Sequence, residues 1–314
     1  MEIIPYTPQY KEIWNELVRI SPTGTFLHDR DYMDYHSDRF DDFSLMVFEK
    51  DKAIACLPCN RVDSTVVSHG GLTYGGWLVD SKHVNTTKML NIWEASLAYM
   101  RSQGCDLLRY KAVPSIYHKY PMEDDLYSIF RFGGNIDYTL VSSVIKLDSP
   151  IKFDTNAMRS VKYARDNGIE VRETNDFVAF WTILADVLKE RYDTRPVHTC
   201  DEIELLKSRF PDNIHLYGAF KDNRLIAGVV VYNTDTVSKA QYIASSKEGR
   251  ETKALPLVFA HIINRASHKF QYFDFGTSNE NDGRFLNEGL IRQKSGMGGR
   301  GIVYTTYKIP IDFI

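Results

Sequence analysis

Phe48-Glu49-Lys50-Asp51-Lys52-Ala53-Ile54-Ala55 and Phe220-Lys221-Asp222-Asn223-Arg224-Leu225-Ile226-Ala227 are two versions of one pattern, in which the end of an apolar strand meets a short charged turn and a second apolar strand begins. Turns favour Lys, Asp and Asn in any protein, so this match alone carries little weight. A second match follows each copy at a similar distance. Ser102-Gln103-Gly104-Cys105-Asp106-Leu107-Leu108-Arg109-Tyr110 mirrors Ser267-His268-Lys269-Phe270-Gln271-Tyr272-Phe273-Asp274-Phe275. Two matches in the same order point to a duplicated module.

The elements around these segments also repeat. In the first half, helix-spaced apolar residues at Tyr10, Ile13, Trp14 and Leu17 predict a helix over Pro8 to Ile20, ended by Ser21-Pro22-Thr23-Gly24. Strands are expected over Phe43 to Phe48, Lys52 to Asn60 and Thr65 to Ser68. A helix over Asn85 to Arg101 should bury Met89, Ile92, Trp93, Leu97 and Met100, and a strand over Leu107 to Val113 follows. The second half predicts helices over Thr155 to Arg165 and Phe177 to Tyr192, a hairpin over Ile214 to Tyr232 and a strand over Ala240 to Ser246. A helix starting at Pro256 then leads to a strand over Phe270 to Phe275. The turn-type residues Asp148-Ser149-Pro150 place the boundary, giving modules 1–148 and 149–314.

Bulk composition fits two domains and excludes several classes of function. The chain has 314 residues, of which 43% are hydrophobic and 25% charged, enough for two packed cores. A net charge of -3 gives no global drive toward DNA or an anionic membrane. No apolar run approaches the length of a membrane span, and Met1 to Pro5 lacks the basic and apolar pattern of a secretory signal, so a cytoplasmic location is expected. Four cysteines are too few for a disulfide scaffold. Cys56-Leu57-Pro58-Cys59 has the spacing of a redox or zinc pair, but it continues a strand and has no nearby Cys or His ligands, so both thiols should be reduced, metal-free and buried. His198 and His261 have no metal-ligand spacing, and no G-x-S-x-G nucleophile motif occurs.

The last third carries the most specific signal: Phe273-Asp274-Phe275-Gly276-Thr277-Ser278, Leu286-Asn287-Glu288-Gly289-Leu290, Gln293-Lys294 and Gly296-Met297-Gly298. Together with the repeated element order, these residues resemble the tandem-GNAT acyltransferases of the FemABX and BioF2-like families over essentially the whole chain. The resemblance implies α/β (mixed α+β) modules with a cleft between them. It also implies transfer of an acyl group, from acyl-CoA such as acetyl-CoA and without a metal, to an amine of a small molecule or cell-envelope precursor. A FemABX-type transferase using aminoacyl-tRNA and a non-catalytic binding protein are the alternatives; neither the acceptor nor the oligomeric state is readable.

In GNAT modules two adjacent strands splay and the donor's pantetheine lies in the gap, so the resemblance assigns the strands Ala240 to Ser246 and Phe270 to Phe275 to that role. The following loop would meet the donor's phosphates through Ser246, Lys247, Gly249, Arg250 and Lys253, although it has only Gly249 where the family has closely spaced glycines. Asp274 is a lone carboxylate in an apolar strand, which is costly without a partner. Lys294 matches the lysine that FemABX-like proteins carry near the transferred group; a cation at a helix C-terminus is its other reading. Asp274, Lys294 and Ser278 are the candidate catalytic residues. Tyr74, Tyr242, Asn279 and Arg284 are candidate substrate contacts, Tyr74 because its flanking glycines allow close approach of the backbone.

Overall fold

A computed structural model describes residues 1–311 apart from the side chains of Arg191 and Tyr192; residues 312–314, the end of the expected second module, lie outside the described residues. The chain forms two compact units, one of Met1–Leu140 with the stretch from Val303 onward, the other of Val141–Ile302.

The first unit begins with β1 (Glu2–Pro5), α1 (Lys11–Ile20) and α2 (Arg30–Met33). It continues with β2 (Asp41–Asp42), β3 (Leu45–Glu49), β4 (Lys52–Leu57), β5 (Asn60–Val62), β6 (Thr65–Val67) and β7 (Leu78–Val79). Then come α3 (Thr86–Ser102), β8 (Leu107–Lys111) and α4 (Asp124–Arg131). Strands β1, β3, β4 and β7 pair antiparallel, whereas β6 pairs with β8 in parallel after the α3 crossover. All five expected residues of α3 are buried in the core. In α1 Trp14 and Leu17 are buried, but Ile13 is exposed and lies off the packed face. Cys56 and Cys59 are free, fully buried thiols, and burial pushes both well above the usual thiol range.

The second unit repeats this plan. Strand β9 (Asn135–Lys146) leads into it and is followed by α5 (Thr155–Asp166), β10 (Glu170–Thr174), α6 (Phe177–Tyr192) and α7 (Cys200–Arg209). An antiparallel run of β11 (Ile214–Lys221), β12 (Arg224–Asn233) and β13 (Val237–Ser245) forms the middle of its sheet. After α8 (Lys247–Glu251) and α9 (Ala254–Ala266) comes β14 (Tyr272–Thr277), which pairs with β13 in parallel. A small hairpin of β15 (Asn279–Glu280) and β16 (Phe285–Leu286), then α10 (Glu288–Gly296) and β17 (Arg300–Pro310), complete the chain. The turn residues Asp222 and Asn223 both have positive φ, as a two-residue hairpin turn with the twist of its strands requires.

The duplication extends to an irregularity in pairing. In the first unit the β3–β4 register shifts between Val47 and Phe48, so that Ile54 is the extra residue. In the second it shifts between Ala219 and Phe220, leaving Ile226 extra. Phe48 corresponds to Phe220, and Ile54 to Ile226, in the matched segments, so the bulge sits at the same place in both copies.

The division between the units falls at Leu140 and again at Ile302 rather than at the Asp148 turn. The cause is an exchange of terminal strands. The end of β9, at the close of the first half, pairs antiparallel with β14 of the second unit, while the end of β17 pairs with β8 of the first. Each last strand and the residue that follows it carry apolar side chains into the new core, Ile145 and Leu147 in the second unit and Ile309 and Ile311 in the first. The apolar strand expected before the Asp148 turn is β9, whereas α4, α7, β17 and the edge strands β1 and β10 have no counterpart in the sequence reading. Among the described residues, no helix is long and apolar enough to cross a membrane.

Candidate active site

Parallel strands β13 and β14 are in register only over Val237–Lys239 with Tyr272–Asp274, and then they part. The groove-side edge of residues 240–245 therefore has no strand across from it among the described residues, although its other edge pairs with β12. Backbone groups freed in this way need partners. The groove that opens there has two lobes, of about 500 and 460 Å³, sharing Ser245, Arg250, Leu255, Gln293 and Met297. Each lobe is within the range of small-molecule sites, about 300–1,000 Å³.

The inner lobe is bounded by β13, by Phe275, Gly276 and Thr277 of β14, by Leu184 and Leu188 of α6 and by Lys294 of α10. The β14–β9 register shifts between Asp274 and Thr277, forming a bulge on which Gly276 has φ +82°, a backbone conformation that glycine adopts without strain. Gly276 links the two charged candidates. Its N–H donates to Asp274 Oδ1 at 2.7 Å, and its carbonyl accepts from Lys294 Nζ at 2.8 Å. Lys294 Nζ also donates to the Thr277 carbonyl and to Ser278 Oγ, each at 2.9 Å, so its three N–H groups are all used. Asp274 is fully buried and also accepts from Ser142 Oγ.

Burial lowers the Lys294 pKa to about 8; nearby Lys239 lowers it further, and the Asp274 carboxylate opposes both. Lys239 is the register partner of Asp274 and is likewise lowered, by burial, against the opposing pull of Asp274. The inner lobe thus presents two lysines among largely apolar walls, with the Asp274 carboxylate buried behind them and Arg250 where the lobe meets the outer one.

The outer lobe lies between α5 and the α8–α9 segment, where Arg250, Lys253 and Arg292 face a single acidic lining residue, Asp154. Helix α9 begins at Ala254 instead of the expected Pro256, because Lys253 caps it in the left-handed conformation, which leaves Pro256 as its third residue. Pro256 has no N–H there to offer a ligand. The Gly249 N–H donates to Ser246 Oγ, and a Cβ at Gly249 would lie 2.4 Å from the Ile226 carbonyl oxygen. The loop's one glycine is therefore required by packing against β12.

The expected residues divide as follows. Lys294, Gly249, Arg250 and Lys253 line the groove, while Asp274 and Ser278 are buried behind Lys294. Ser246 caps α8, and Lys247 is exposed outside the lining. Asn279 ties the β15–β16 hairpin to β9 by accepting from the Val141 N–H at 2.6 Å, and Arg284 is exposed. Tyr242 turns away from the groove, its hydroxyl hydrogen-bonded to His198 and its ring edge-on to Trp181. Tyr74 is buried in the first unit against Tyr117 with its hydroxyl on Thr25, because the adjoining Gly75 and Gly76 serve local packing. The sequence reading omitted Lys239, Gln241, Arg292 and the α6 wall. Lys239 could have been found by the rule that found Asp274, a lone charge in an apolar strand. Among the described residues no group of three acidic, His or Cys side chains is arranged to hold a metal ion.

Residues 152–284 match the family model described as Acetyltransferase (GNAT) domain. Similar solved structures include FemX, with a TM-score of 0.68, 13% identity and coverage of 99% of this chain and 97% of that one. A tandem GNAT protein from the clavulanic acid biosynthesis pathway gives 0.54 at 12% identity, covering 99% and 98%. L-PGS from Bacillus licheniformis gives 0.61 at 9% identity, covering 96% and 91%. No curated protein matches the chain. The chain has the tandem-GNAT, FemABX-like fold, and the stretch that matches the GNAT domain model lies in its second unit.

Proposed function

We propose that the protein is an N-acyltransferase that moves an acyl group from acyl-CoA to an amine within the groove of the second unit, in the cytoplasm. The observation that carries this reading is the parting of β13 from β14 after Lys239, with a cationic lobe at one end of the gap and Lys294, backed by Asp274, at the other. The pantetheine amides would complete the edge of residues 240–245 where β14 has parted from β13, and Arg250, Lys253 and Arg292 would meet the phosphates. The acceptor nitrogen attacks the thioester carbonyl, the C–S bond breaks, and CoA leaves as the thiol after taking up the proton lost by the amine. Lys294 supplies positive charge beside the carbonyl oxygen as it becomes an oxyanion. Asp274 and Ser278 are positioning residues for that ammonium.

An aminoacyl-tRNA donor is the second reading. It is favoured by the phosphate loop, where Ser246 occupies the Gly249 N–H and Pro256 removes another donor, leaving side chains to do what closely spaced glycine amides would otherwise do. Binding of acetyl-CoA, longer acyl-CoAs and aminoacylated tRNA, followed by thermal shift and calorimetry, separates the two, since a native-state ligand raises apparent stability. The leading reading expects acyl-CoA to stabilise the protein in a manner that depends on Arg250 and Lys253. Stabilisation by aminoacylated tRNA alone would replace it.

A further inference from the structure

The two lysines of the inner lobe are not equivalent. Lys294 spends all three N–H groups on Gly276, Thr277 and Ser278, whereas Lys239 Nζ has one partner among the described residues, Gln241 Oε1 at 2.6 Å. A lysine only donates, so the Gln241 oxygen must face it, which leaves both N–H groups of the Gln241 amide and two of Lys239 without a protein acceptor among the described residues. Both side chains line the groove. Gln241 reaches it because the β12–β13 register shifts between Val230 and Val231, making Gln241 the extra residue of a bulge. Bulges commonly redirect a side chain in this way. The charge balance agrees: Arg250, where the two lobes meet, has Glu190 at 3.8 Å, Asp274 offsets one of the two lysines, and the remaining charge sits among apolar neighbours that include Leu184, Ile243 and Phe259. A half-buried cation with unused donors calls for an anion that brings acceptors in pairs.

We propose that Lys239 and Gln241 form a carboxylate subsite, and that the acceptor amine is accordingly a free amino acid, held by its α-carboxylate at the point where β13 and β14 part. This rests on the groove being the site of acyl transfer, but the binding itself can be tested without any transfer. A monoanion fits the single excess charge, and its two oxygens match the pair of donor groups. Phosphates find a better match in the three cationic side chains of the outer lobe.

The test measures, by thermal shift and calorimetry on the full chain, each of the twenty protein amino acids against its own α-carboxamide. The expected result is at least one amino acid that binds ten- to a hundredfold more tightly than its amide, as loss of charge-assisted hydrogen bonds implies. In K239M this preference should disappear, and in Q241L, which keeps the lysine, it should shrink. Binding of no amino acid in preference to its amide overturns the proposal, as does a preference that survives in K239M. If K239M does not fold, an undiminished preference in Q241L overturns it as well. Lys239-dependent amino-acid binding without any acyl-CoA binding would refute the acyl-CoA reading and leave the subsite standing.

Discussion

Replacing Lys294 with Met removes a buried ammonium while keeping most of the side-chain volume, and the structure fixes what is lost. Three hydrogen bonds of 2.8, 2.9 and 2.9 Å disappear, leaving the Gly276 and Thr277 carbonyls and Ser278 Oγ to find other partners. Removing one partner of a buried charged network costs about 3–5 kcal/mol, and relief of the charge's own desolvation puts K294M at the low end, about 3 kcal/mol less stable. Loss of an oxyanion-stabilising group lowers kcat by about 10²- to 10³-fold. The assay is steady-state transfer, followed by release of the CoA thiol, at temperatures where denaturant titration shows the variant folded. The pH profile separates catalysis from architecture. Because the Lys294 pKa is lowered to about 8, the working ammonium is lost as pH rises through that value, so wild-type kcat/KM should fall there, and the falling limb should vanish in K294M. The same group acts on stability in the opposite direction. Between about pH 8 and its ordinary value of 10.5, the unfolded chain holds a proton that the folded chain has lost, so Lys294 makes folding more favourable as pH rises through that window. Near-normal turnover in folded K294M, or an unchanged falling limb, would refute the assigned role.

Asp274→Asn removes the influence that raises the Lys294 pKa, so the falling limb of the pH–rate profile should move to lower pH; an unmoved limb separates Asp274 from Lys294 electrostatically. Arg250→Gln with Lys253→Gln should raise KM for acyl-CoA about tenfold or more with a smaller change in kcat, since Lys253 lines the outer lobe and Arg250 lies where the two lobes meet. Gly249→Ala brings a Cβ to 2.4 Å from the Ile226 carbonyl oxygen, and displacement of α8 should cost about 1–3 kcal/mol by chemical denaturation. Cys56 and Cys59 should react with a thiol reagent only on unfolding, and rapid labelling of the native protein would contradict their burial.

The repeat was legible because local rules generate it. The Lys50–Asp51 and Asp222–Asn223 turns and the apolar face of α3 follow from turn chemistry and helical periodicity, and the structure places all of them close to where the residues indicate. The strand exchange was not legible, since β9 and β17 are equally good strands for either sheet and only long-range pairing decides between them. Within the site, Asp274 stood out as a carboxylate in an apolar strand. Lys239 carries the same signal one strand away, yet its meaning depends on register with Asp274, which sequence spacing does not give. Tyr242 was misread for a related reason: the bulge at Gln241 exchanges which residue meets the groove, turning Tyr242 toward Trp181 and His198. Gly249 resembles a phosphate-binding glycine in sequence and proves to be a packing glycine only when Ile226 is seen beside it.

Hydrogen-exchange mass spectrometry with and without saturating acetyl-CoA tests the central claim most directly, because the stretch of β13 that parts from β14 is where donor amides would add hydrogen bonds. The account predicts new protection concentrated in residues 240–254, with a second zone over α10 at residues 288–297. Binding that leaves residues 240–254 unprotected, or protects only residues of the first unit, would contradict it.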